Sequence, residues 1–161
     1  MERLWTPWRR AYVTGNKGKG CFLCDKAWED NDHENLVLFR SSHCYVLLNT
    51  FPYNAGHVMV APYVHTGNFP ALQPEIGLDM WTVTQKVTNI IKAEYAPEGF
   101  NLGLNLGKAG GAGVVDHIHM HIVPRWVGDT NFMPLVGGTK VLPETLPQTW
   151  DRLRPLFDKG G

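Results

Sequence analysis

Residues 116–126 read Asp116-His-Ile-His-Met-His-Ile-Val-Pro-Arg-Trp126, and three of the seven histidines in the chain occupy alternate positions there. Side chains along a β-strand alternate between two faces, so a strand would gather His117, His119 and His121 on one face. The residues between them are apolar, as expected for a face that packs against a core. On a helix the three histidines would be spread through about 400° of rotation and would share no face. The spacing therefore predicts a strand, with Pro124 at its end or at an edge of the sheet.

Four further strands and one long helix are predicted by the pattern of apolar residues. The strands cover residues 36–39, 44–48, 57–61 and 100–106. Pro74 suits the first turn of a helix, and apolar residues then recur every three or four positions, at Ile76, Met80, Val83, Val87, Ile90 and Ile91. Residues 142–157 contain three prolines and are expected to hold only short helical pieces. These elements predict an α+β domain with a mostly antiparallel five-stranded sheet, one long helix and shorter helical pieces.

Length and charge narrow the class of protein. A chain of 161 residues is expected to form one domain over 1–161 and to bury a core without disulfides. Lys and Arg together number 15, as do Asp and Glu, so no overall field favours nucleic acid or an anionic membrane as partner. No apolar run approaches the roughly 18 residues that span a bilayer, and the first residues lack a signal-peptide core. A cytoplasmic location is therefore expected.

The three cysteines fall into two groups. Cys21-Phe-Leu-Cys24 has a spacing that, in a reducing compartment, indicates metal or redox chemistry rather than a structural disulfide. A redox pair would need a thioredoxin-like βαβ context, which is missing, so half of a tetrahedral zinc site or a pair of unligated thiols are the alternatives. Cys44 lies in an apolar run and is expected to be a buried small side chain.

The histidine stretch also carries a family resemblance. His117-Ile-His-Met-His-Ile-Val123 resembles the His-φ-His-φ-His-φ-φ motif, with φ hydrophobic, of the histidine triad (HIT) superfamily of nucleotide hydrolases and nucleotidyl transferases. Asn49, Asn54-Ala-Gly-His57-Val-Met-Val-Ala-Pro62 and a glycine-rich loop precede it in the family's order, so the likeness covers residues 20–126. A narrower likeness to the bacterial diadenosine tetraphosphate (Ap4A) phosphorylase branch rests on Arg3-Leu-Trp-Thr-Pro-Trp8, Gly99-Phe-Asn-Leu-Gly-Leu-Asn-Leu-Gly107, Val123-Pro-Arg-Trp126 and Asp129-Thr-Asn-Phe132.

The resemblance implies a HIT-like fold with a metal site. An N-terminal zinc-binding segment would cover about residues 1–30, and a C-terminal tail about 127–161. In zinc-containing relatives, histidines at the positions of His65 and His117 complete the site begun by Cys21 and Cys24, so a structural Zn²⁺ is expected. A neutral imidazole bound to zinc cannot also donate a proton, which would make His117 structural rather than a general acid.

The resemblance further assigns the chemistry to three histidines. His119 would attack the α-phosphorus and become a nucleotidyl-histidine, since an imidazole with a pKa near 6.5 is largely uncharged at neutral pH. A carbonyl that accepts from its other ring nitrogen would fix its tautomer. His121 and His57 would stabilise the charge that develops on the phosphoryl oxygens. The alternative for the triad is a polar sheet face without catalytic meaning.

Substrate contacts follow from the same likeness. Asn49 would contact the ribose, although an Asn that caps the turn before Pro52 is the alternative. Asn105 would contact a phosphate, and Lys108 could bind the polyphosphate or simply be solvated. Many relatives carry a polar pair where this chain reads Ala112-Gly-Val-Val115, so backbone amides of the loop would serve instead. The substrate-binding set is then Asn49, Asn105, Lys108, Gly111, Gly113, His119 and His121.

Three functions are compatible with the sequence. The first is phosphorolysis of Ap4A to ADP and ATP through adenylylated His119, with inorganic phosphate as partner and Mg²⁺ accompanying the polyphosphate. Phosphate competes with water only if it is bound beside the triad, by amides of residues 107–113 with Lys108, or by Arg125-Trp126. The second is hydrolysis of AMP conjugates, and the third is nucleotide binding without turnover. A homodimer through the long helix and an adjacent strand is also expected, since Trp81 and Ile91 lie off the main apolar stripe.

Overall fold

The fold is described by a computed structural model that covers residues 20–129 and 141–159. Within these two ranges there are four helices: α1 (Phe22–Trp28), α2 (Asp32–Asn35), α3 (Pro74–Tyr95) and α4 (Leu146–Asp158). The strands are β1 (Val37–Arg40), β2 (Cys44–Leu48), β3 (Val58–Pro62), β4 (Gly99–Leu104) and β5 (Met120–Arg125), and a 3₁₀ turn covers Phe69–Ala71. The motif at residues 3–8 and positions 130–132 lie outside the described residues. No helix in the described ranges is long and apolar enough to cross a membrane.

The five strands form one antiparallel sheet in the order β1-β2-β3-β5-β4, which confirms the predicted fold class. Regular pairing of β5 begins only at Met120, so His117 and His119 lie in the extended segment just before the strand. Pro124 pairs with Phe100 of β4 but lies beyond Ile122, the last β5 residue paired with β3. The amide hydrogen that proline lacks is therefore missing at a point where β5 has a partner strand on one side only, as expected for a proline in a sheet.

One face of the sheet packs against α3 and α4 to form the main core. Met80, Val83 and Val87 of α3 are buried there, together with Ile122 of β5, which confirms the amphipathic helix prediction. Ile91 was expected off the stripe but is only 1% exposed and belongs to this core. Its burial follows from the helical period, because positions 80, 83, 87 and 91 share one face.

The proline-rich tail forms a longer helix than expected. Residues 146–158 make one continuous α4 of 13 residues. Thr145 and Gln148 form a reciprocal capping box, and Pro147 lies in the first turn, where no amide donor is needed. Pro155 removes one intrahelical hydrogen bond, and we attribute its tolerance to the burial of the neighbouring Leu153 and Phe157.

The opposite face of the sheet carries α1. Leu23 is fully buried against the second apolar cluster, which comprises Ala27, Val37, Tyr45, Leu47, Met59 and Ala61. The Tyr45 hydroxyl donates to the Leu23 carbonyl at 2.6 Å. At the other end of α1, the Arg40 guanidinium donates to the carbonyls of Lys26, Ala27 and Glu29. Both ends of this short helix are thus fixed to the sheet.

Candidate active site and metal cluster

His119 is held in one tautomer. Its Nδ1 lies 2.9 Å from the backbone carbonyl oxygen of His117, and a carbonyl can only accept, so Nδ1 carries the proton and Nε2 keeps a lone pair. His119 is 6% exposed, and burial lowers the pKa of its imidazole despite the opposing effect of the carbonyl bond. A neutral imidazole with a lone pair on Nε2 can act as a nucleophile.

His57 and His121 form a directed hydrogen-bonded pair. The Tyr53 backbone amide donates to His57 Nδ1 at 3.0 Å, and His57 Nε2 lies 3.0 Å from His121 Nδ1. An amide can only donate, so neutral His57 must carry its proton on Nε2. This N–H donates a hydrogen bond to His121 Nδ1. Neutral His121 then has its proton on Nε2, where it is a donor to any group bound beside it. His57 is 1% exposed, and its hydrogen bond links it to the less buried imidazole of His121.

His119 and His121 adjoin a cavity of about 390 Å³. Its lining brings together six of the predicted substrate residues, namely Asn49, Asn105, Gly111, Gly113, His119 and His121. Lys108 was also predicted but lies outside this lining. The sequence reasoning missed the other lining residues, which are Phe22, Lys26, Thr50, Phe51, Tyr53, Met59 and Val114.

Two of the missed residues come from α1. Phe22 and Lys26 are four positions apart, so they share a face of that helix. Lys26 is partly buried, and burial lowers the pKa of its ammonium group. Its Nζ donates to the Asn35 carbonyl at 2.9 Å. Because an ammonium has three donors, Lys26 can bond an acceptor in the cavity while keeping this contact.

Asn49 is already oriented by its neighbours. Its side-chain carbonyl accepts from the Phe51 amide at 2.8 Å, which is the turn-capping role considered from the sequence. Its amide nitrogen lies 3.4 Å from His57 Nε2 and 3.6 Å from the Met59 sulfur. The turn-capping role of Asn49 is thus compatible with the predicted ribose contact, because the cap uses the side-chain oxygen and leaves the side-chain amide on the cavity side.

The loop at residues 107–113 depends on glycine at particular positions. Gly111 has a φ of +84°, in the left-handed region that favours glycine. A Cβ on Gly110 would lie 2.3 Å from the Leu106 carbonyl oxygen, which is too close for any other residue. The chain can therefore fold tightly here and present backbone, rather than side chains, to the cavity at Gly111 and Gly113.

A separate cluster contains the four residues that the family resemblance named as zinc ligands. The donor atoms of Cys21, Cys24, His65 and His117 all lie within 4.8 Å of one another. His117 Nε2 donates to the Pro62 carbonyl at 2.8 Å, which directs Nδ1 to the Cys21 and Cys24 sulfurs at 3.3 and 3.5 Å. His65 Nδ1 lies 3.3 Å from Cys24 Sγ. Burial, reinforced by Cys21, raises the pKa of the Cys24 thiol to about 11 without a cation.

The donor set suits a tetrahedral metal ion. Bonds of about 2.0–2.1 Å to nitrogen and 2.3 Å to sulfur would place neighbouring ligands roughly 3.3–3.8 Å apart. The three Cys–His distances above fall in or close to this range. These four residues could therefore hold one metal ion without rearrangement of the backbone.

Arg125, a candidate anion site from the sequence, is engaged by acceptors of the protein itself. Its Nε and Nη2 donate to both carboxylate oxygens of Asp129 at 2.6 and 2.9 Å, and Nη1 donates to the Asn101 side chain at 2.6 Å. The guanidinium is thus occupied by protein acceptors. The Asp129 contact is local in sequence, whereas Asn101 comes from the neighbouring strand β4 and is brought to Arg125 by the fold.

Comparison with known proteins decides the family. The HIT domain profile matches residues 31–127, which is more than half of the chain. The chain belongs to the HIT family. An AP-4-A phosphorylase of Mycobacterium tuberculosis is 37% identical to this HIT protein over 157 residues, covering 92% of the chain and 80% of the relative. A bis(5'-adenosyl)-triphosphatase of Dictyostelium discoideum is 25% identical over 130 residues, covering 76% of the chain and 86% of the relative.

Solved structures agree on the fold. A Zn-bound histidine triad family protein from Mycobacterium smegmatis superposes with a TM-score of 0.69 at 24% identity, over 88% of this chain and 98% of that one. In this chain the triad lies at the start of β5 and in the segment just before it, beside the cavity and next to the Cys/His cluster.

Proposed function

We propose that this HIT protein is a nucleotidyltransferase that cleaves Ap4A through a covalent intermediate on His119. The observation that carries the proposal is the buried His119, whose Nδ1 is tied to the His117 carbonyl and whose Nε2 keeps its lone pair beside a cavity. The choice of Ap4A is supported by the 37% identity to an AP-4-A phosphorylase over most of the chain.

In the first step, His119 Nε2 attacks an α-phosphorus of Ap4A. A P–N bond forms, the P–O bond to the departing fragment breaks, and ATP leaves as an anion that Mg²⁺ can accompany. Negative charge builds on the phosphoryl oxygens, and His121 Nε2–H is the donor placed to stabilise it, held by His57 at 3.0 Å. In the second step, an oxygen of inorganic phosphate attacks the adenylyl phosphorus, the P–N bond to His119 breaks, and ADP forms as His119 Nε2 regains its lone pair.

The nucleoside end of the substrate would lie toward α1. With the reacting phosphorus at His119, the cavity offers Asn49, Met59 and the α1 residues Phe22 and Lys26 as nucleoside contacts. Asn49 would donate to the ribose from its amide. Phe22 offers an aromatic surface to a purine, and Lys26 offers a donor to an acceptor atom of the nucleoside.

The acceptor phosphate needs an anion site beside the triad, because water competes at about 55 M. With Arg125 paired to Asp129 and Lys108 outside the cavity lining, the backbone of Gly111 and Gly113 with Asn105 is the best-supported candidate. Amides of such a loop bind anions without a side chain. Lys108→Ala is therefore expected to reduce the use of phosphate as acceptor less than the sequence alone suggested.

The Cys/His cluster would hold a structural Zn²⁺. Cys21 and Cys24 come from the start of α1, while His65 follows β3 and His117 precedes β5. When bound, the metal would cross-link α1 to the catalytic segment and supply no acid or base. His117 would then serve as a ligand only.

The HIT protein would act as a homodimer in the cytoplasm, as one domain over residues 1–161. Trp81 and Leu78 of α3 are 54% and 67% exposed, and β4 is an edge strand on which Leu102 is 45% exposed. Pairing of α3 and β4 about a two-fold axis would cover these apolar side chains.

Product analysis with Ap4A, with and without inorganic phosphate, tests the proposed function. Phosphate should accelerate loss of Ap4A and divert the products from AMP plus ATP to ADP plus ATP. The alternative is hydrolysis, which is favoured by the likeness to the Dictyostelium triphosphatase. Unchanged rate and products in phosphate would establish that alternative.

A further inference from the structure

Asn54 is a buried side chain outside the triad that connects two parts of the catalytic region. It is 6% exposed, and its Nδ2 donates to the Pro124 carbonyl at 2.9 Å and to Asp129 Oδ2 at 2.8 Å. The same carboxylate accepts from Arg125 through two nitrogens and from the Trp126 amide at 3.2 Å. Asn54 thereby fastens the turn before β3 to the end of β5.

This turn is the one that orients His57. Asn54 directly follows Tyr53, whose amide donates to His57 Nδ1, and the Asn54 carbonyl accepts from the His57 amide at 3.2 Å. A shift of the turn would move the Tyr53 amide away from His57 Nδ1. The imidazole could then place its proton on Nδ1, and His57 would no longer donate to His121.

Asp129 takes part in this connection as a carboxylate. The Arg125 guanidinium, with help from Asn54 and the Trp126 amide, holds the pKa of the Asp129 carboxyl well below its usual range. Asp129 therefore remains ionised, and its two oxygens accept hydrogen bonds from the side chains of Asn54 and Arg125 and from the Trp126 amide. A two-point Arg–carboxylate contact fixes direction as well as distance.

We infer that Asn54, Asp129 and Arg125 form a brace that positions the His57–His121 pair and selects its tautomer. The catalytic part of this inference rests on the proposed function, whereas the tautomer does not. All three members are positioning residues, because they act on the reacting atoms through His57 and His121. The role of Arg125 is thus to hold Asp129, in place of the anion binding suggested by its position after the triad.

The first test is the histidine ¹⁵N spectrum of the free protein, which reports which ring nitrogen carries the proton. Wild-type His57 should be protonated on Nε2 with an acceptor Nδ1. Asn54→Leu and Asp129→Asn should each give a mixture of tautomers for His57. Asp158→Asn is the matched control, because Arg154 and Asp158 form another i,i+4 pair, at 2.7 Å on α4. Wild-type His57 protonated on Nδ1, or variants with unchanged spectra, would overturn the brace.

The second test is turnover of the same variants. A displaced His57–His121 pair should lower kcat roughly 10- to 100-fold, with KM changed less than about threefold, since the nucleotide contacts are retained. If Asp129→Asn does not fold, Arg125→Lys keeps the charge but loses the two-point contact, and carries the same comparison. Altered spectra with full kcat would overturn the catalytic role of the pair while leaving the brace itself supported.

Discussion

Removal of the Leu23 side chain would test whether α1 is the fixed wall of the nucleotide cavity. Leu23 is 0% exposed and packs with Tyr45, Leu47 and Met59. Leu23→Ala deletes three buried carbon atoms, worth about 0.8 kcal/mol each, or about 2.4 kcal/mol together. The cavity left behind raises the expected loss of unfolding free energy to about 3–4 kcal/mol. For a chain of this size that corresponds to a melting temperature lowered by roughly 6–16 °C.

The same substitution should weaken nucleotide binding, because α1 carries Phe22 and Lys26. Loss of about 1 kcal/mol of contact would raise the dissociation constant of AMP roughly fivefold. Urea unfolding and titration calorimetry measure the two effects. Val127→Ala is the control, since Val127 is 87% exposed and lies outside the proposed dimer interface, so it should change stability by less than about 0.5 kcal/mol. A loss below about 1 kcal/mol for Leu23→Ala would refute the described packing of α1, and unchanged AMP affinity would refute its role as a wall.

Three further predictions address the binding residues, the metal and the assembly. Lys26→Met should raise the KM for Ap4A several-fold while the exposed control Lys92→Met does not, and equal KM values would exclude Lys26 from the substrate site. Elemental analysis should find one zinc per chain in the wild type and in the control Cys44→Ala, but little in Cys24→Ser. Cys24→Ser should also melt at a lower temperature. A zinc-free, fully active wild type would rule out the site. The chain should sediment as a dimer at micromolar concentration and Trp81→Glu should shift it to monomer, whereas Val127→Glu should not; a monomeric wild type would contradict the interface.

The parts of the fold with a clear period were predictable from sequence. Alternation at His117, His119 and His121 predicted one shared face, and the three/four spacing after Pro74 predicted α3. In contrast, α1 has seven residues, too few to show a helical period, and its place is set by distant contacts from Tyr45 and Arg40.

Charged residues of the site were harder to assign because their partners are remote in sequence. Lys26 reaches the cavity only because α1 folds over the sheet, and nothing in its neighbours indicates this. Arg125 was a candidate anion site from the sequence, and only the fold places Asn101 beside it. The length of α4 was underestimated because the prediction considered the prolines but not the Thr145–Gln148 capping box.

The most direct test of the central claim is the mass of the protein during turnover. Ap4A would be mixed with the enzyme without phosphate and quenched in alkali, because a phosphorus–nitrogen bond to histidine is labile in acid. We predict one adenylyl group per site, located on His119 by fragmentation, absent from His119→Ala, and discharged as ADP when phosphate is added. Steady turnover of Ap4A with no adduct on His119, or undiminished activity in His119→Ala, would contradict the account.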